Sequence, residues 1–91
     1  MSAHQSYLDR MTTRLGDLEH EIVTLAEKVD RDGDDVQRRE IRVLEASLSA
    51  AKERLTSIRM AAAEVNDEMT QSLTQSFSRV QAALGRVRAA A

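Results

Sequence analysis

Asp30-Arg31-Asp32-Gly33-Asp34-Asp35 is the stretch on which the reading of this fold turns. It carries no apolar side chain, and it separates two regular apolar patterns. Gly33 can take the left-handed conformation that ends a helix at low cost. Asp34 can cap the helix that follows, with Gln37 three residues on completing a capping box. Acidic groups at that point also suit the positive end of a helix dipole. The stretch is read as a turn over residues 31–34, and as the one reversal in the chain.

Upstream of the turn, Leu8, Met11, Leu15, Leu18, Ile22, Leu25 and Val29 follow one another at alternating spacings of three and four. That spacing places them on one narrow stripe of a helix, the a/d seam of a coiled coil. Downstream, Ile41, Leu44, Leu48, Ala51, Leu55, Ile58, Ala62, Val65 and Met69 repeat the alternation. From Met69 the phase changes: Leu73, Phe77, Val80, Leu84 and Val87 follow, with Met69 and Val80, and Leu73 and Leu84, each eleven residues apart, a repeat that straightens a left-handed supercoil. No glycine or proline lies between Val36 and Leu84. The pattern predicts one continuous second helix over about residues 35–88, against a first helix over about 5–30.

The expected fold is therefore all-α: an antiparallel helical hairpin with a short first helix and a long second one, residues 1–91 forming a single coiled-coil unit. The first helix covers the second as far as Ile58. Residues beyond it then project with an uncovered stripe of Ala62, Val65, Met69, Leu73, Phe77, Val80, Leu84 and Val87, the expected oligomer interface. At 1.5 Å per residue the second helix alone would be about 80 Å long. In this hairpin Leu8 lies near Ile58 and Val29 near Gln37, but Arg14 then faces Arg54 and Glu19 faces Glu45. Sliding by one heptad pairs Glu19 with Lys52 at the expense of a loose turn, so the tight hairpin is preferred.

Composition points the same way. Aromatic residues make up 2% of the 91 residues and charged ones 31%, with no proline and no cysteine, a profile of long helices. A chain this short buries too little surface to be robust alone. Without disulfides or a cysteine-based zinc site, oligomerisation is the remaining support.

Chemistry-bearing residues are few. His4 and His20 are the only histidines. Asp17 and His20 imitate the carboxylate-x-x-His spacing of di-iron bundles, but both point outward in this phase. Asp30, Asp32 and Asp34 alternate like calcium ligands, yet Gly33 is fourth and Ile41 twelfth in that count, where an EF-hand needs Gly sixth and Glu twelfth. Arg38, Arg39, Arg42, Lys52, Arg54 and Arg59 give a local net charge of +3 with Glu40, Glu45 and Glu53. They lack interleaved aromatics for base stacking. No nucleophile–base arrangement and no phosphate loop is visible. The expectation is no enzyme activity, no metal, no cofactor and no nucleic acid.

The polar start, the Tyr7-Leu8 opening of the first seam, its Leu18, Ile22, Leu25 and Lys28 closure and the long Ala- and Arg/Glu-rich segment together resemble a family of small bacterial coiled-coil proteins. Some of these are described as stress-response proteins and many as of unknown function. The resemblance implies an all-α coiled coil with no catalytic residue to carry over.

The functional expectation is a structural or interaction protein that self-associates, as a dimer or four-helix assembly, or pairs with another coiled-coil protein. The alternative is an amphipathic segment, residues 69–88, lying on an anionic membrane surface. The segment MSAHQSYLDR has no apolar signal region, so the cytoplasm is the expected location.

Overall fold

The chain is described by a computed structural model over residues 3–61 and 66–90, with side chains over 6–61 and 66–89. Among these residues the architecture is all-α, with three helices and no strands. Helix α1 spans Ala3–Asp32, α2 spans Asp35–Met60 and α3 spans Asp67–Ala90. They form an up-down-up bundle. Asp9 on α1 pairs with Arg59 near the end of α2, and Glu40 near the start of α2 pairs with Arg86 near the end of α3.

The first turn is built by its polar residues. The Asp34 carboxylate accepts the Gln37 N–H at 2.9 Å, and the Gln37 side-chain oxygen accepts the Asp34 N–H at 3.0 Å. Two orphan donors of α2 are thereby satisfied reciprocally. Gly33 differs from expectation, since no glycine adopts a positive φ. Its N–H donates to the Val29 carbonyl at 2.7 Å. A Cβ at this position would stand 2.5 Å from that same oxygen. Close approach, rather than handedness, demands glycine here. Gly33→Ala should destabilise the protein by about 1–3 kcal/mol through overcrowding against backbone, measurable as a lower urea midpoint.

The long second helix is corrected. Ala61 has φ −68° and ψ 132°, an extended residue that ends α2. Asn66 then caps α3, its side-chain oxygen accepting the Met69 N–H at 2.9 Å. Asp67 and Glu68 follow in the first turn of α3, where carboxylates favour the helix N-terminus. The overall extents are 45 × 20 × 18 Å, far short of the roughly 80 Å that a continuous helix would need. The phase change at Met69 is thus the mark of a new helix turned back on the old one. A reversal lets Leu73, Phe77, Val80, Leu84 and Val87 leave water within the same chain, each at roughly 1.5–3 kcal/mol.

The core runs along the bundle axis. Met11, Leu15, Ile22 and Val29 enter from α1, Ile41, Leu44, Leu48, Ala51, Leu55 and Ile58 from α2, and Leu73, Phe77, Val80, Ala83, Leu84 and Val87 from α3. Tyr7, Leu8, Leu18, Leu25, Ala26 and Met69 pack against it while remaining partly exposed. The α2 and α3 backbones approach each other most closely, α1 and α2 less so, and α1 and α3 least. Residue size accounts for the order. Ala46, Ser47, Ala50 and Ser76 line the groove between α2 and α3, and Ala51 and Ala83 are buried. The Ser76 hydroxyl donates to the Ser72 carbonyl at 3.1 Å, so serine sits beside the core without an unmet polar group. Helix α1 instead inserts Leu, Ile and Val, which hold its axis farther off.

Gly16 and Gly85 lie inside helices on exposed faces, and a Cβ at either would meet nothing within 4 Å. Replacing each with Ala should therefore raise stability by about 0.5–1 kcal/mol through helix propensity. The check is a thermal melt of the double variant; a lower midpoint would mean that these faces are crowded in solution.

Candidate functional site

The chemistry-bearing residues are spent mainly on holding helices in register. Between α1 and α2, Lys52 donates to Glu19 at 2.8 Å, and Arg59 lies 3.6 Å from Asp9 while also donating to the Thr12 hydroxyl. Between α2 and α3, the Arg86 Nε donates to Glu40 at 3.2 Å. Between α1 and α3, Arg88 pairs with Glu21, and the Arg14 guanidinium lies 5.5 Å from the centre of the Phe77 ring. All of these ion pairs are substantially exposed, so each contributes on the order of 0.2–1 kcal/mol. Their value is geometric: they record which residues are neighbours.

That record resolves the charge conflicts of the sequence reading. Glu19 meets Lys52, not Glu45, although the tight turn at Gly33–Asp34 is retained. Helical side chains lean toward their own N-terminus. In an antiparallel pair the two leanings are opposed, so touching residues lie farther along each chain than residues at the same height. Matching by height put Glu19 opposite Glu45 and Arg14 opposite Arg54. The lean shifts partners toward Lys52 without any loosening of the turn.

Most of the stripe expected at an interchain interface is buried within the chain. Leu73, Val80 and Val87 are 0% exposed, Phe77 2% and Leu84 3%, all inside one chain. Met69 is half-buried against the same core. Ala62 and Val65 lie outside the described residues. Of the seam expected within the chain, Met11, Leu15, Ile22, Val29, Ile41, Leu44, Leu48, Leu55 and Ile58 are buried. Leu8, Leu18 and Leu25 are only partly so. Sequence reasoning passed over Ala83, which is fully buried; its spacing of three from Val80 and four to Val87 was the available signal. Within this bundle the apolar side chains of residues 69–88, which the membrane alternative would turn toward lipid, face inward. No helix among the described residues is long and apolar enough to cross a membrane.

His20 and Asp17 both stand on exposed positions of α1, and the side chain of His4 lies outside the described residues. No group of three or more His, Cys, Asp or Glu among the described residues is arranged to hold a metal ion. Asp34 is engaged as a helix cap. Of the basic run, Arg38 pairs with Asp35, Lys52 with Glu19 and Arg59 with Asp9, which disperses the positive charge along helix flanks. The depressions in the surface are open, several of them grooves between helices. One, at the turn end, is lined by Val29, Arg38, Ile41, Arg42, Glu27 and Glu45. Its acidic and basic groups are mixed, so it selects neither anion nor cation.

The remaining apolar exposure is uneven. Among the described residues, Val23, Val36, Val43 and Met60 are the large apolar side chains left open, Met60 at 81%. On α1, Tyr7, Leu8, Leu18 and Leu25 are incompletely covered, and the Tyr7 hydroxyl is buried without a hydrogen bond among the described residues. No family model, curated protein or solved structure matches this chain.

Proposed function

We propose that this chain is a non-enzymatic structural protein that works by helix association, with a second copy of itself as partner. The observation that supports this reading is the incomplete closure of α1. Its a/d row is only partly covered at Leu8, Leu18 and Leu25, because α3 approaches α1 least closely of the three helix pairs. A helix with a coiled-coil seam gains from further helical neighbours, since each apolar side chain taken fully out of water adds stability. The chain's small size adds to that tendency.

Light scattering over a wide concentration range tests the reading. The expected result is a mass of 10.1 kDa in dilute solution that rises toward twice that value as the protein is concentrated. A mass that never leaves the monomer value would end the proposal.

A further inference from the structure

Most of the large apolar exposure gathers on one row of one helix. Among the described residues, three of the four large apolar side chains left open, Val36, Val43 and Met60, lie on α2. With Ala46 and Ala50 they follow a spacing of threes and fours that Arg39, Glu53 and Ser57 complete, and every one of these positions is exposed. Val43, Ala46, Ala50 and Met60 each stand two residues beyond a buried residue of the inner row, which is about 200° around a helix. Helix α2 therefore carries a second coiled-coil spacing on the side turned away from its own core. The outer face of a surface helix is ordinarily charged and polar instead.

The charges on this row select a partner and a direction. Arg39 and Glu53 stand on the row itself and Arg54 beside it, and none of the three has an ion pair among the described residues. Two copies laid parallel and in register would set Arg39 against Arg39 and Glu53 against Glu53. Laid antiparallel about a two-fold axis near position 48, they bring Val36 of one copy to Met60 of the other and Ala46 to Ala50. On the flank, Glu40 of one copy then comes to Arg54 of the other. Sliding by a heptad in either direction leaves Val36 or Met60 uncovered. The row is thus complementary to itself in one direction and one register, as an isologous contact requires. Its centre is formed by small side chains, Ala46, Ala50 and the adjoining Ser47, so two helices can approach closely there.

Resting on the self-association proposed above, we propose that a second copy docks on this outer row of α2, with the two α2 helices antiparallel. The surface is separate from the α1 seam. It also has more apolar area left to bury, since Val36 and Val43 are 55% and 43% exposed, whereas Leu8, Leu18 and Leu25 are already partly covered.

A single-label distance measurement tests the docking. The chain has no cysteine, so Ser49→Cys gives one spin-label site, exposed and beside the row rather than on it. Position 49 is next to the two-fold axis. The two labels of a dimer then stand on helices with axes about 8–10 Å apart and should lie roughly 20 Å or less from each other. The expected result is a short-distance population between chains that grows as the protein is concentrated. Ala46→Glu/Ala50→Glu in the labelled chain should remove that population and weaken the contact on the order of a hundredfold, because four carboxylates then crowd the axis. Both substitutions fall at exposed positions, and a melt in dilute solution checks that the variant is folded. Association without the short distance, or with a short distance that survives in the glutamate variant, would overturn this docking and leave self-association through α1 standing. A monomer at all concentrations would end both.

Discussion

Leu73→Asp/Val80→Asp is expected to abolish the folded bundle rather than to separate intact chains. Both side chains are 0% exposed within a single chain. A carboxyl group placed there loses its hydration and gains no partner, at a cost of several kcal/mol for each site. The whole stability of a small domain is only about 5–15 kcal/mol, and a 91-residue bundle stands toward the lower end. Circular dichroism should show a large loss of helical signal and no cooperative thermal transition, even in dilute solution. Retention of a wild-type melt together with a lower solution mass would place this stripe between chains instead, and the closed bundle would be wrong.

Leu44→Ala should produce the second-largest effect, about 2–5 kcal/mol. Leu44 is 0% exposed in the middle helix, the one element that packs closely against both others. Neighbours on two sides cannot collapse into the space vacated, so a cavity persists. Leu18→Ala makes the same chemical change on α1, where the side chain is already partly in water, and roughly half that loss or less is expected. Urea titrations of the two variants in dilute protein give the comparison directly. Equal losses would mean that the α1 row is fully covered in solution, which the monomeric bundle does not provide.

Much of the local structure was legible because it depends on near neighbours in sequence. The heptads at Leu8–Val29 and Ile41–Ile58 describe one helix face each, and those faces are the ones that α1 and α2 turn toward the core. The capping box at Asp34 and Gln37 is a contact between residues three apart. Gly33 was correctly singled out but for the wrong reason: its separation from the Val29 carbonyl is a matter of packing, which no propensity describes.

The α2–α3 boundary was misread because its signals conflict. Alanines and an unbroken apolar spacing favour a continuous helix, whereas Asn66 followed by Asp67 and Glu68 favours a helix start. Each of those local preferences amounts to about 1 kcal/mol. The burial of Leu73, Phe77, Val80, Leu84 and Val87 outweighs them several-fold, and it is a long-range term invisible to local pattern. The charge register failed for a related reason, since Glu19 finds Lys52 only through side-chain direction in three dimensions.

The sequence by itself determined that this protein is helical, where its first turn falls and which face of each helix is apolar, because these follow from spacing and from the backbone groups of adjacent residues. Only the tertiary structure decided that the apolar stripe of residues 69–87 closes on its own chain, that Ala83 belongs to the core and that the α1 seam is left partly open at Leu8, Leu18 and Leu25. Those outcomes depend on where the chain reverses a second time, and that choice is made by the total apolar surface removed from water rather than by any residue in the connection.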